Sequence, residues 1–323
     1  MQIDVVFDLP FIFDEVALSV FHAQSSRPGI YRDYIHSLKI NPNHVTTVEK
    51  IPFLPISFFK THKIQELSKE AEIIFTSSGT TGMDNSLHFI TDLNIYIKSF
   101  SKGFELFYGD IRNYCFLALL PSYLERKGSS LVYMCNHLIK SSEHPLSGFY
   151  LDNKDDLFQK LKKLKEENQP IILLGVTYAL LDLAEQFPLD FPELIIVETG
   201  GMKGRRKEMV KDEVHAILKK SFGVSAIHSE YGMTEVLSQA WSDGNGVFSC
   251  PPWMRILIRD INDPFQLSSE NVTGAINIID LANINSCSFI ATDDIGRMHG
   301  ENSFEVLGRL EDSDLRGCNL LVD

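Results

Sequence analysis

Residues 76 to 82 read Thr76, Ser77, Ser78, Gly79, Thr80, Thr81, Gly82, five hydroxyls and two glycines in seven positions. Donors packed this densely can converge on one point, and such a nest suits the oxygens of a phosphate. The Gly-Lys-Ser/Thr ending of the common nucleotide loop is missing, and no helical pattern opens after Gly82. The plainer reading is a hairpin loop, because strand-like runs flank it at residues 72–75 and 87–90. Further segments bear on the choice. Ser229, Glu230, Tyr231, Gly232, Met233, Thr234 and Glu235 bring an aromatic face, a hydroxyl and a carboxylate together within a few positions. In Glu198, Thr199, Gly200, Gly201 and Met202, the glycines would let a flat ligand approach the backbone. Thr292, Asp293, Asp294 and Arg297 form a fourth group. Gly308, Arg309, Leu310, Glu311 and Asp312 form a fifth, followed by Leu315, Arg316, Gly317 and Cys318.

Elements must hold these groups in place. From about residue 92 to 231, helical and strand-like patterns alternate. Helices are predicted over 94–108, 129–139, 155–168, 176–186 and 205–221. Apolar strands are predicted over 114–120, 170–174, 193–198 and 224–228. Unbroken apolar strands separated by helices imply a mainly parallel sheet covered on both faces. Residues 198–202 and 229–235 then lie at or beyond strand carboxyl ends, where open α/β sheets bind ligands. After about residue 250, short runs at 255–259, 274–279, 288–292 and 304–307 predict an antiparallel β subdomain, with no flexible linker before it.

The 323 residues suggest about two domains, or one large one with subdomains. With 43 acidic against 30 basic residues, the net charge of -13 disfavours nucleic acid and anionic membrane surfaces. The N-terminus carries Asp4, Asp8, Asp14 and Glu15 without a basic cluster, unlike a secretory signal. The longest apolar stretch, residues 171–184, is interrupted by Gly175 and Asp182 and is too short for a bilayer. Five cysteines without a C-x-x-C, and histidines without metal spacing, fit a reducing cytoplasm and argue against zinc.

In order and spacing, the five groups resemble the acyl-adenylate-forming superfamily: acyl-CoA synthetases, firefly luciferase and peptide-synthetase adenylation domains. Its phosphate loop reads like residues 76–82, and its Tyr-Gly-x-Thr-Glu motif like Tyr231 to Glu235. Its ribose-binding aspartate follows a threonine by two, as Asp294 follows Thr292. Gly-Arg-x-Asp resembles Gly308 to Glu311, with glutamate replacing aspartate or the acid displaced to Asp312. Residues 51–60, 120–126 and 199–205 are similar to the acyl-protein synthetase of the bacterial luminescence fatty acid reductase complex. The resemblance implies an adenylate-forming domain over 1–308, α/β to about 245 and β-rich after it. Residues 309–323 form a short segment with the candidate acyl-carrying cysteine. Two departures stand out. Met83, Asp84, Asn85 and Ser86 replace the usual Pro-Lys-Gly. Larger relatives also continue into a lid domain of roughly a hundred residues, whose lysine contacts the acyl phosphate. No residue takes that role by motif, so adenylation must be slower, or Lys203, Arg205 or a partner must supply the charge.

In that family a fatty acid is adenylated, transferred to a cysteine near the C-terminus and passed to a reductase. The resemblance implies that Thr76, Ser77, Ser78, Gly79, Thr80, Thr81 and Gly82 hold the β- and γ-phosphates of ATP. Thr234 serves the α-phosphate and Glu235 ligates Mg²⁺. Tyr231 stacks on adenine, with Gly200, Gly201 and Gly232 in the nucleotide site. Asp294 takes the ribose, Arg309 lies near the ribose or the developing charge, and Cys318 carries the acyl group. Each residue has a plainer reading: Tyr231 a core aromatic, Glu235 a helix-start acid, Asp294 a turn residue, Cys318 a small apolar residue in a last strand. The expected partners are a carboxylic, fatty acid and an acyl reductase or other acyl-accepting protein. Two alternatives stand beside this reading: a CoA or carrier-protein ligase, and a non-catalytic nucleotide-binding subunit.

Overall fold

A computed structural model describes residues 4–8, 10–77, 85–121, 128–200, 209–268, 271–300 and 302–310. Strands Cys115–Leu119 and Ile171–Val176 are buried along their whole length. They pair in parallel with each other, as do Ile171–Val176 with Ile195–Thr199 and Ile195–Thr199 with His228–Tyr231. Helices cross between them. Ser129 and Asn153 cap Ser130–Ser141 and Lys154–Glu166 by accepting from Val132 N and Asp156 N. Such caps satisfy backbone donors that the first turn leaves free. Continuous apolar strands fit this layer because both faces are covered.

At His228–Tyr231 the sheet changes sense. Its other neighbour, Ala240–Ser242, is antiparallel, and Val247–Ser249, Ser303–Arg309, Phe289–Met298, Gly274–Asp280 and Met254–Arg259 continue outward from it. Among the described residues, twelve strands form this one sheet. The α/β and antiparallel halves are therefore joined by backbone hydrogen bonds. The N-terminal helix Phe13–Ser26 is fastened to the antiparallel half. Gln24 Nε2 donates to the Asn283 and Ile284 carbonyls, and Phe21, Tyr31 and Phe53 pack around Phe289.

Strands Ile73–Thr76 and Leu87–Ile90 make a separate antiparallel hairpin. Phe75 ties it to the rest by packing on Tyr96 and Tyr133 at 5.2 and 5.7 Å.

Several elements differ from expectation. The strand expected at 224–228 is His228–Tyr231, so Ser229, Glu230 and Tyr231 lie in the sheet. Pairing with residues 197–199 selects that register, and local apolarity does not reveal it. The strand expected at 288–292 runs on as Phe289–Met298 and carries Asp294 inside it. The helix expected from residue 205 is described from Lys211, as Lys211–Phe222.

Candidate active site

The change of sense gathers the chemistry. Tyr231 ends the last parallel strand and donates its hydroxyl to Asp294 Oδ2 at 2.8 Å. Its ring packs against Phe248 and Phe304, with centroids 5.8 and 5.4 Å away. Asp294 faces Arg309 in register across the neighbouring strand, with Arg309 Nε 3.8 Å from Oδ1. Asp294 N is itself bonded to the Thr292 hydroxyl at 3.1 Å, and Arg259 Nη2 donates to the Thr292 carbonyl at 2.7 Å. The threonine two positions before the aspartate thus shapes the backbone that presents it. Burial raises the Asp294 carboxyl above its usual range, while Tyr231 and Arg309 pull the other way.

Glu235 is 5% exposed. Burial raises its carboxyl too, and the Ser86 hydroxyl and Arg309 oppose that shift. Its turn is pinned from outside. Asn283 Nδ2 donates to the Glu235 carbonyl at 2.8 Å, and His88 Nδ1 to the Thr234 carbonyl at 2.8 Å. Asp280 accepts from Leu237 N, Ser238 N, the Ser238 hydroxyl and Ala282 N. Burial pushes His88 down to about 4, while the acceptors facing its two ring nitrogens pull the other way. Its Nε2 lies 3.1 Å from Asn283 Oδ1. The asparagine cannot turn round, because its amide nitrogen is already given to Glu235.

A second polar group lies between strands. Glu230 accepts from the Thr199 hydroxyl at 2.6 Å, and Thr177 Oγ1 meets both the Glu198 carboxylate and the Gly200 carbonyl. Gly200 has φ +66°, the left-handed region that glycine tolerates best. At Gly232 a Cβ would stand 2.4 Å from Glu230 Oε1, so a side chain there would have to push the Glu230 carboxylate aside. Burial, reinforced by Glu198, pushes Glu230 up from 4.5 to about 7. Between those values the folded chain keeps a proton that the unfolded chain has released. Stability therefore falls as pH rises through this window, by up to about 3 kcal/mol for this group. Glu230→Gln keeps an acceptor for Thr199 and removes the titration. In urea unfolding at about pH 5 and pH 8, the variant is expected to lose less stability than the parent on going to the higher pH. Equal pH dependence in both proteins would show that Glu230 does not titrate in the window.

Thr76, Ser77, Gly200, Tyr231, Gly232, Thr234, Glu235, Asp294 and Arg309 lie among the described residues. The structure brings Tyr231, Asp294 and Arg309 together. Ser78, Gly79, Thr80, Thr81, Gly82, Gly201, Lys203, Arg205, Glu311, Asp312 and Cys318 lie outside the described residues. Ser77 N donates to the Ser86 carbonyl and Ser77 Oγ accepts from Ser86 N, which closes the base of the hydroxyl-rich segment. His88, Asp280 and Asn283 went unnoticed in the sequence. Their signal was a polar residue inside an apolar strand-like run, as in Leu87, His88, Phe89, Ile90.

A family model described as "Acyl-protein synthetase, LuxE" matches residues 10–323. Among solved structures the chain is similar to ATP-bound MatB from Rhodopseudomonas palustris, with 16% identity and a TM-score of 0.55. That match covers 74% of this chain and 48% of the other. A 2-hydroxyisobutyryl-CoA ligase in complex with 2-HIB-AMP gives 12% identity and a TM-score of 0.68, covering 93% of this chain and 68% of that one. The chain spans about half the length of the MatB structures that it matches. No curated protein matches it. The fold is that of the adenylate-forming ligases. Within that class, the chain belongs to the acyl-protein synthetase family LuxE.

Proposed function

We propose that this protein uses ATP to convert a carboxylic acid, a fatty acid by the family's chemistry, into an acyl-adenylate. The acyl group then passes to a cysteine thiol, Cys318. The observation that carries the reading is the meeting of Tyr231, Asp294 and Arg309 where the sheet changes sense, beside a buried Glu235. A carboxylate presented in this way can accept from ribose hydroxyls. The Tyr231 ring offers a stacking surface for adenine. The hydroxyls and N–H groups of residues 76–82 suit the β- and γ-phosphates, and the Thr234 hydroxyl suits the α-phosphate.

Among the described residues, no group of three or more His, Cys, Asp or Glu side chains is arranged to hold a metal. A lone buried carboxylate still fits Mg²⁺, which binds through one or two carboxylates plus phosphate oxygens and waters. Glu235 is the residue that would hold it, and the ion would neutralise phosphate charge. The protein's own work is to align the acid's carboxylate with the α-phosphorus and to stabilise charge as pyrophosphate leaves. The thiol gives up its proton to water, its thiolate attacks the acyl carbon, the C–S bond forms, the C–O bond to phosphate breaks and AMP departs. No described helix is long and apolar enough to cross a membrane. We place the reaction in the cytoplasm, where thiols stay reduced, with an acyl reductase or another acyl-accepting protein as the next partner.

Asp294→Ala tests the nucleotide site. Hydrogen bonds to a charged group contribute about 1.5–3 kcal/mol, so the ATP dissociation constant should rise about ten- to hundredfold. Binding of inorganic pyrophosphate should stay unchanged. Calorimetric titration of the folded variant measures both. Unaltered ATP affinity would remove Asp294 from the ribose.

A further inference from the structure

Strand Leu87–Ile90 leaves the hydroxyl-rich segment and meets the Thr234–Glu235 turn through one side chain. His88 is fully buried, edge-on to Phe59 at a centroid distance of 5.4 Å. A carbonyl oxygen only accepts, so the nitrogen 2.8 Å from the Thr234 carbonyl, Nδ1, carries the proton of that bond. Asn283 Nδ2 takes the next carbonyl, that of Glu235. Two consecutive carbonyls held from outside leave the peptide between them little freedom to rotate. The directions of the Thr234 hydroxyl and the Glu235 carboxylate are set with it. Ser86, two positions before His88, stands beside Glu235 and is locked to Ser77 by a pair of hydrogen bonds. One strand thus links the base of the hydroxyl-rich segment to the turn that carries Thr234 and Glu235.

We propose that His88 is a positioning residue for acid activation: its Nδ1–H, donated to the Thr234 carbonyl, fixes Thr234 and Glu235 relative to strand Leu87–Ile90 and to Ser77 and Ser86 at its start. This role rests on the activity proposed above. His88 would touch neither nucleotide nor acid, and it acts only through the turn.

The test is ATP–pyrophosphate exchange by the full chain with an accepted acid, beside thermal melts, for His88→Phe, His88→Asn and His88→Gln. Asparagine sets its amide nitrogen near the place of Nδ1, and glutamine near that of Nε2. In His88→Phe the expected result is a fall in kcat of about tenfold or more, with the KM for the acid within about twofold and half-activation by Mg²⁺ moved to higher concentration. His88→Asn should recover most of kcat, and His88→Gln should not. Exchange by His88→Phe at the parental rate overturns the role. So does a loss that merely follows the fraction unfolded, or rescue by glutamine equal to that by asparagine. Should His88→Phe fail to fold, the asparagine–glutamine contrast still decides. A parent protein that exchanges with no acid overturns the activity itself, whereas exchange that survives in His88→Phe overturns only the role of His88.

Discussion

Cys318→Ser is expected to form acyl-adenylate at the parental rate and to gain no hydroxylamine-labile acyl adduct. The adduct should fall from stoichiometric to background, the largest change expected of any single substitution here. Three other thiols are poorly suited to the reaction. Cys115, Cys135 and Cys287 are buried. Burial pushes Cys115 up to about 11 and Cys287 up to about 12, and raises Cys135 well above its usual value. At neutral pH they hold little thiolate, the form that attacks an acyl donor. Cys250 is raised by burial as well. Cys318 follows Arg316 and Gly317 in the sequence, and an arginine near a thiol favours the thiolate. Intact-protein mass spectrometry with ATP, Mg²⁺ and a panel of fatty acids reads the adduct directly. An adduct that persists in Cys318→Ser sinks the assignment. Acyl-adenylate without any adduct on the parent would turn the reading to a CoA or carrier-protein acceptor, which adding CoA and looking for acyl-CoA would detect.

Asp280→Ala is expected to destabilise the fold by about 4 kcal/mol or more, a large share of the roughly 5–15 kcal/mol of a typical domain. Among the described residues, four donors hold this fully buried carboxylate: Leu237 N at 2.7 Å, Ser238 N at 3.1 Å, Ser238 Oγ at 2.6 Å and Ala282 N at 3.1 Å. Alanine leaves these donors buried and without their acceptor, and the penalty exceeds the net worth of the bonds. The loss also frees residues 237–238, next to the Thr234–Glu235 turn, so adenylation should fall even in the fraction that remains folded. Asp280→Asn keeps one acceptor oxygen but turns an amide N–H₂ toward donors, and should be nearly as damaging. Urea unfolding measures the first effect and pyrophosphate exchange the second. A cost below about 1 kcal/mol would mean that the backbone donors find other partners.

Tyr231, Gly232, Thr234, Glu235, Asp294 and Arg309 were legible as candidates because each lies in a short motif whose chemistry is local. The same holds for the alternating helices and buried strands between residues 93 and 222, where apolar period and caps act within a few positions.

Composition, the hydroxyl-rich segment, the parallel α/β order and the candidate residues followed from the sequence alone, since each depends on neighbours a few residues apart. Only the tertiary structure decided the rest. Sheet pairing with residues 197–199 moved the strand to His228–Tyr231, drew Glu230 into the interior and raised its carboxyl. Hydrogen bonds between residues 63 positions apart joined Tyr231 to Asp294, and bonds spanning 146 positions tied His88 to Thr234. A side chain's partners across such separations are set by how the elements pack, and no periodicity within a single element encodes them.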